Sequence, residues 1–382
     1  RQATHVTMDA GSSIDASATD KGDGGKVVLW SDVHNADSVT RVNGSIKAEA
    51  GPNGGDGGRI ETSGHVLNVD GIGISAQANH GNNGEWLLDP YNVYIMKDAT
   101  TSSEVLATGT YTPSSAASYI KSSDLNTALS SANITVTTGG STPGTSTGNI
   151  YVYDGLAWGA NKLTLNAWNN IYVYFPINVT GTGSLALEYG QNAVALGNTS
   201  AYYIDAPVNL PTGANFSTKL GSNGTVKNFT VINDLGAQAD AVTAPSTMSV
   251  QGMAATASLA GKYVLGSDID ATATQTWTTL TNGYINFIPI GNATTNFTGV
   301  FDGLGHQVKN LKITEQSATL GVKVGFFGSV NNASITNIGL TNVAVSSVNG
   351  YYIGSLMGGN NNADSTILNN IFTSGSVSGG QR

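Results

Sequence analysis

The sequence predicts an all-β protein that forms a parallel β-helix, or β-solenoid, with one short helical insertion. A Gly-Asp-Gly-Gly block stands in Lys21–Asp32 and again in Gly54–Gly64, with a looser copy in Gly81–Asp89. Repetition at this period is typical of solenoids. Each copy leads into a short run of strand-forming residues, and strong helix formers are scarce, which argues against a helical solenoid.

The glycine blocks are interpreted as corners between strands. Glycine reaches positive φ without a steric penalty, and Asp and Asn tolerate the same region. We expect Val28 and Leu29 to lie in a buried wall formed by stacked coils. Calcium-binding solenoids need many successive Gly-Asp copies, whereas this chain has two full ones, so we expect no metal and no cofactor.

Changes in pattern divide the chain into three segments. Coils with the Gly-Asp-Gly-Gly repeats occupy 1–96, a continuing solenoid occupies 97–255, and a third repetitive segment occupies 256–382. In the third segment, Phe301 and Phe326 head successive units. Asparagines recur near its corners, where stacked amides join neighbouring coils: Asn337, Asn342, Asn369 and Asn370.

The helical insertion is predicted near 122–132. Apolar residues stand there at helical spacing: Leu125, Ala128 and Leu129. Ser123 or Asp124 is the predicted N-cap.

Composition restricts the function. The 382 residues carry a formal charge of −9 and no cysteine. Nucleic-acid binding rests on clustered Lys and Arg, which are scattered here, so no nucleic-acid partner is expected. Absence of cysteine removes disulfides and thiolate metal sites. The chain begins at Arg1 without a recognisable signal peptide, so we expect a fragment of a larger protein.

Three blocks resemble a known family: "GDGGKVVLWSD", "GEWLLDPYNVYI" and "GVFDGLGHQVKNLKIT". The first two are similar to the C-terminal region of two-partner-secretion exoproteins, the filamentous-haemagglutinin-like adhesins of Gram-negative bacteria. The third resembles the GLUG repeats, which makes 256–382 a GLUG-like segment. The resemblance implies a right-handed β-helix, export through an outer-membrane secretion pore and a surface location. The N-terminal secretion domain that defines the class is not in this sequence.

An enzyme is the natural alternative, because parallel β-helices also host polysaccharide lyases and hydrolases, whose chemistry needs converging carboxylates. The weak catalytic candidates are Asp268 and Asp270, which share a strand face, together with Asp302. The competing interpretation makes Asp302 a corner residue bonded to its own backbone, with His306 pointing outward. We favour the structural interpretation and expect no enzyme.

Aromatic residues concentrate in the middle of the chain. In "NNIYVYF", Tyr172 and Tyr174 alternate with Ile171 and Val173, which predicts opposite faces of one strand. The candidate ligand-binding residues are Tyr151, Tyr153, Trp158, Trp168, Tyr172 and Tyr174. Exposed aromatic clusters anchor interfaces, although such residues also serve as core.

The sequence therefore predicts a secreted, non-catalytic segment of a bacterial surface adhesin. It either binds a host-cell or matrix receptor, glycan or protein, or acts as a rod-like stalk. Two alternatives stay open: a polysaccharide-cleaving β-helix, and a self-associating extracellular filament with exposed strand edges.

Overall fold

The chain is nearly all β. The structure, a computed structural model, describes residues 3–97, 105–106, 109–110, 118–139, 148–191, 193–194, 197–243, 248–319, 321–361 and 365–379. Strands account for 46% of the chain, and the described residues include one α-helix. The all-β prediction with a short helix is confirmed. Most of 98–117, where the strand pattern is interrupted, lies outside the described residues.

Short strands follow one another along the first two thirds of the chain. Up to the helix they are β1 (His5–Met8), β2 (Ser13–Asp15), β3 (Lys26–Trp30), β4 (Val39–Val42), β5 (Ser45–Lys47), β6 (Arg59–Ser63), β7 (Val66–Asn68), β8 (Gly73–Ser75), β9 (Glu85–Asp89), β10 (Val93–Met96), β11 (Val105–Leu106), β12 (Gly109–Thr110) and β13 (Ser118–Lys121). After α1 (Ser122–Ala128) come β14 (Asn133–Thr137), β15 (Ile150–Val152), β16 (Leu156–Trp158), β17 (Lys162–Ala167), β18 (Ile171–Val173), β19 (Ile177–Val179), β20 (Ser184–Tyr189), β21 (Tyr202–Ile204), β22 (Val208–Asn209), β23 (Gly213–Leu220) and β24 (Lys227–Ile232).

The last third contains two longer strands among short ones. Its strands are β25 (Lys262–Leu265), β26 (Ile269–Asp270), β27 (Tyr284–Asn286), β28 (Val300–Asp302), β29 (Gln307–Lys309), β30 (Lys312–Glu315), β31 (Lys323–Val324), β32 (Phe327–Val330), β33 (Ser334–Ser347), β34 (Tyr352–Ile353), β35 (Met357–Asn360) and β36 (Ile367–Gly379). Single 3-10 turns lie at Gln238–Ala241, Gln251–Ala254, Thr256–Ser258 and Thr272–Thr276.

The chain forms two compact units. Unit 1 comprises Arg1–Ala206 and Ser217–Lys227, and unit 2 comprises Pro207–Phe216 and Asn228–Arg382. The predicted segment boundaries near 96 and 255 stay predictions.

The sequence repeats of unit 1 lie side by side. Each copy contributes one strand to each of three parallel sheets, whose strand orders begin β1-β4-β7, β2-β5-β8 and β3-β6-β9. Equivalent residues pair in register: Val27 lies beside Ile60, and Ile60 beside Trp86, all three buried. The third sheet continues through β14, β17 and β20, again in parallel.

The glycines of the Gly-Asp-Gly-Gly block have two different roles. Gly22 and Gly55, which open the two blocks, have φ of 143° and 125°, as a corner requires. The third residue needs glycine for space instead. A Cβ on Gly57 would lie 1.9 Å from the carbonyl oxygen of Ala76 and 2.3 Å from the nitrogen of Gly84, which are the two atoms of a 2.7 Å hydrogen bond in the neighbouring copy. The corner prediction therefore explains only part of the motif.

The prediction of which residues of β3 are buried is wrong for Val28. Val28 was expected in the buried wall, but it is 40% exposed, and Val27 is the buried residue of β3. Leu29 is half-buried. Two valines in succession leave the period-2 phase open in sequence, and the pairing with Ile60 resolves it.

The N-cap of helix α1 lies two or three residues earlier than predicted. The N-cap is Lys121, without a side-chain capping bond, so Ser123 and Asp124 lie in the first turn and the N-cap prediction is wrong. Leu125 and Leu129 are fully buried, as the spacing predicts.

Unit 2 is built around β33. This strand pairs in parallel with β28, β29 and β30 on one side and with β36 on the other. The core contains a cluster of fully buried phenylalanines: Phe287, Phe297, Phe301, Phe326 and Phe327.

Side-chain amides of asparagines join neighbouring strands of unit 2. Asn370 Nδ2 donates to Asn337 Oδ1 at 2.9 Å, and Asn342 Nδ2 donates to Asn310 Oδ1 at 2.8 Å. All four have φ between 52° and 62°. The amide stacking is confirmed for these residues. Asn369 lies within β36, beside Thr336.

Candidate functional site

Tyrosines occupy equivalent outward positions on neighbouring parallel strands of unit 1. The pairing of β10, β15, β18 and β21 places Tyr94, Tyr151, Tyr172 and Tyr203 in one register row. The isoleucines and valines that alternate with them are buried. The predicted alternation around Tyr172 is confirmed, and the register extends it over four strands.

The rings of this row form a continuous stack. Successive centroids from Tyr94 to Tyr203 lie 4.8, 5.0 and 4.9 Å apart, and the ring planes are within 10° of parallel. This spacing equals the distance between neighbouring strands, so the backbone ladder sets the stacking. On the other side of Tyr94, Tyr119 continues the stack at 5.7 Å.

A second, shorter column stands beside the first. Tyr153 and Tyr174 stack at 5.0 Å and 8°, and they contact Tyr151 and Tyr172 at 5.8 and 6.0 Å. We call the seven residues the tyrosine face: Tyr94, Tyr119, Tyr151, Tyr153, Tyr172, Tyr174 and Tyr203.

Exposure increases along the tyrosine face. Tyr94 and Tyr153 are buried, whereas Tyr174 is 37% and Tyr203 42% exposed, and the neighbouring Phe175 is also exposed. Because each ring face contacts the next ring, the stack turns mainly ring edges and hydroxyl groups toward solvent. The accessible part therefore lies at β18 and β21.

Burial favours the protonated form of two hydroxyl groups of the face, those of Tyr151 and Tyr174. Burial raises the pKa of Tyr151 to about 12 and also raises that of Tyr174. Asn149 Nδ2 donates to the Tyr151 hydroxyl at 2.9 Å, and Asn170 Nδ2 donates to that of Tyr172 at 3.3 Å. Asparagines therefore fix two hydroxyl groups of this aromatic surface, those of Tyr151 and Tyr172.

The two predicted tryptophans lie apart from the tyrosine face. Trp158 is 6% exposed on β16, and its Nε1 donates to the carbonyl oxygen of Asn161. Trp168 follows β17, with Nε1 buried and without a protein partner in the described part of the chain. Trp158 is therefore a core residue, which was the alternative interpretation of the aromatic residues.

Asp268 and Asp270 share an exposed face, as predicted, but each carboxylate is engaged. Asp268 accepts from Lys309 Nζ at 2.6 Å and from the Gln307 N–H at 3.0 Å. Partial burial acts to raise its pKa, but these hydrogen bonds outweigh burial and hold the pKa below its ordinary value. The Thr272 hydroxyl chiefly lowers the pKa of Asp270. A general acid at neutral pH requires the opposite shift.

Asp302 is buried at a corner of unit 2. Its Oδ1 accepts from the Leu304 N–H at 2.8 Å and from Asn337 Nδ2 at 3.0 Å, where Leu304 has φ of 48°. The interpretation of Asp302 as a corner residue bonded to its own backbone is confirmed. No group of three His, Cys, Asp or Glu suited to a metal occurs among the residues that the structure describes.

The outward orientation expected for His306 is wrong. His306 is 2% exposed; its Nε2 lies 3.0 Å from the carbonyl oxygen of Val208 and its Nδ1 lies 3.3 Å from Asp268 Oδ1. Residues 207–216 belong to unit 2, and this long-range contact turns the ring inward.

Sequence reasoning missed one carboxyl group in an unusual environment. Burial, and next the charge of Glu61, raise the pKa of Asp89 to about 6. A cavity of about 260 Å³ opens beside it, lined by Trp30, Asp32, Val33, His34, Glu61, Asp89 and Gly139. Ser63 pairs with Asp89 in register, so Glu61 and Asp89 face outward two positions apart. Alignment of the two repeats is the signal that could have found them.

Comparison with known proteins assigns no family. No family model matches the chain. Over 130 residues, or 33% of the chain, the sequence is 34% identical to Halomucin of Haloquadratum walsbyi, and the match spans about 1% of Halomucin's length. Among the described residues, no helix has the length and apolar character needed to cross a membrane.

Proposed function

We propose that this chain is a non-catalytic segment of a secreted bacterial surface adhesin, and that the tyrosine face is its attachment surface. The observation that carries the proposal is the in-register stack of Tyr94, Tyr151, Tyr172 and Tyr203. The secreted or cell-surface location, export through an outer-membrane pore, and a host-cell or matrix receptor follow from the family resemblance.

We further propose that unit 1 is a right-handed parallel β-helix. In support, each repeat passes once through three sheets, and equivalent residues of successive passes pair in parallel register. Connections between parallel strands are almost always right-handed.

The chemistry of the tyrosine face favours a receptor that offers both hydroxyl groups and apolar surface. Tyrosine supplies a large, rigid contact with one polar end, and it is enriched where binding energy concentrates. The stacked rings are already ordered, so binding loses little side-chain entropy. A glycan or a flat protein surface fits the exposed end around Tyr174 and Tyr203.

The test is saturable binding of the labelled protein to epithelial cells, matrix proteins and a glycan array, with unlabelled protein as competitor. Tyr174→Leu with Tyr203→Leu is expected to weaken binding about tenfold or more. The matched control is Tyr351→Leu with Tyr352→Leu, which removes two exposed tyrosines from unit 2.

Equal loss in both double variants would contradict the assignment of the tyrosine face. Absence of saturable binding by the unchanged protein would instead leave these residues as a stalk. Far-ultraviolet circular dichroism, dominated by β signal, checks that each variant is folded.

Self-association is a second candidate function, supported by strand β36. In the described part of unit 2 this strand pairs with β33. Several of its apolar side chains are exposed: Ile367, Leu368, Phe372 and Val377. Uncovered strand edges promote pairing with another chain. Sedimentation of the protein and of a Leu368→Lys, Phe372→Lys variant tests this, and assembly that is unchanged in the variant excludes β36 as the contact.

A further inference from the structure

The Gly-Asp-Gly-Gly repeats border an open groove on unit 1. The groove has a volume of about 690 Å³ and crosses the start of β3, β6, β9, β14 and β17. Its floor is glycine backbone, at Gly24–Gly25, Gly57–Gly58 and Gly84. Charged side chains of successive coils border this floor: Asp23, Lys26, Asp56, Arg59, Glu85 and Lys162.

Two cations stand beside one another in this groove. Lys26 pairs with Arg59 in register, and both are exposed. Neither forms a salt bridge with any carboxylate in the described residues. Glu85 is the register neighbour of Arg59, but its Oε1 accepts from the Thr135 hydroxyl at 2.7 Å. Like charges at directly paired positions destabilise a sheet, and no salt bridge among the described residues offsets the repulsion between Lys26 and Arg59.

The carboxylates of the groove are held by backbone. Asp23 Oδ1 accepts from the Asp56 N–H at 2.8 Å, and Asp56 Oδ1 accepts from the Asn82 N–H, also at 2.8 Å. Each carboxylate is therefore fixed to the next coil while it stays exposed. Fixed, exposed carboxylates on two successive repeats are suitable acceptors for hydroxyl groups spaced along a chain.

We propose that this groove binds a linear acidic polysaccharide whose charged groups are carboxylates. Its carboxylates lie against Lys26 and Arg59, since the guanidinium fork matches a carboxylate in two hydrogen bonds. Its hydroxyl groups donate to Asp23 and Asp56. From Lys26 to Lys162 the groove spans four strand spacings, about 19 Å at ~4.8 Å each, so it accommodates several sugar units.

Nucleic acid fits this groove less well. Among the described residues that line it, none has an aromatic side chain on which bases could stack. The phosphate groups of nucleic acid only accept hydrogen bonds and leave Asp23 and Asp56 without donors, whereas the hydroxyl groups of a polysaccharide donate to these carboxylates. The groove lies at the glycine repeats and includes no residue of the tyrosine face. The polysaccharide proposal can therefore be tested independently of the proposed attachment surface.

The experiment is calorimetric titration of the full chain with polygalacturonate, neutral dextran and single-stranded DNA. Polygalacturonate is expected to bind, more weakly at high salt. Lys26→Gln with Arg59→Gln is expected to reduce its affinity about tenfold or more. The matched control is Arg41→Gln with Lys47→Gln, which removes the same charges from exposed positions on other sheets.

Three results would overturn the proposal. These are no binding of polygalacturonate, an equal loss in the control double variant, and binding of dextran or DNA as strong as that of polygalacturonate. The Tyr174→Leu, Tyr203→Leu variant is expected to bind polygalacturonate with unchanged affinity.

Discussion

Replacement of Gly57 by alanine tests why the third residue of the Gly-Asp-Gly-Gly block is glycine. The added Cβ would lie between the nitrogen of Gly84 and the oxygen of Ala76, at 2.3 and 1.9 Å. Their 2.7 Å hydrogen bond must break for the methyl group to fit. Two unsatisfied backbone groups cost about 1–3 kcal/mol each, and overpacking costs about 1–3 kcal/mol. We expect Gly57→Ala to lower the free energy of unfolding by about 3–9 kcal/mol, the sum of these contributions.

Urea unfolding followed by circular dichroism measures this loss. Gly155→Ala is the matched control, because its Cβ would meet only the carbonyl oxygen of Pro176 at an ordinary 3.7 Å. That variant is expected within about 1 kcal/mol of the unchanged protein. A loss below about 1 kcal/mol for Gly57→Ala would refute the argument that close approach of the neighbouring backbone selects glycine here.

Three further predictions concern buried polar groups. Asp302→Ala is expected to lower the free energy of unfolding in urea by about 2–4 kcal/mol, because two donors, one of them from Asn337, lose their acceptor. Asp302→Asn keeps an acceptor oxygen and should lower it less. Equal losses in the two variants would contradict the corner role. The pKa of Asp89 is raised to about 6, so its protonated carboxyl group is the form that the fold favours. This contribution to stability is fully present below pH ~4 and is lost as the pH rises through 6. Asp89→Asn should therefore raise the free energy of unfolding by about 1–3 kcal/mol at pH 7 and little at pH 4. The exposed control Asp37→Asn should leave the free energy of unfolding unchanged at both pH values. An equal gain for Asp89→Asn at pH 4 and pH 7 would refute the assignment. For Tyr151, with its pKa raised to about 12, stability is present below pH ~10 and is lost as pH rises through 12; part of the tyrosinate absorbance should appear together with unfolding, and its complete appearance in folded protein near pH 10 would exclude a buried stack.

Strand periodicity was readable wherever polar and apolar residues alternate strictly. Ile171 and Val173 are buried and Tyr174 is exposed, as the alternation predicts. At Val27 and Val28 two apolar residues adjoin, so either phase satisfies the sequence, and pairing with Ile60 selects Val27 as the buried one. Local pattern therefore failed where neighbouring side chains are chemically equivalent.

The candidate sites show the same division. Tyr151, Tyr153, Tyr172 and Tyr174 were predicted together and lie together, because they alternate on strands of similar sequence. Trp158 alternates with exposed Ala157 and shares the buried face of its strand with Leu156, so it lies in the core and not with the tyrosines.

The sequence by itself determined the strand-rich composition, the repeat, the short helix and the alternation that turns tyrosines outward, since these depend on residues near one another in the chain. Only the tertiary structure decided which positions of distant repeats pair. That register joins Tyr94 to Tyr151 and places Lys26 beside Arg59. A separate long-range contact with Val208 turns His306 inward. The physical reason is that a residue's partners across a parallel sheet lie a full repeat away, at a separation that local propensity does not encode.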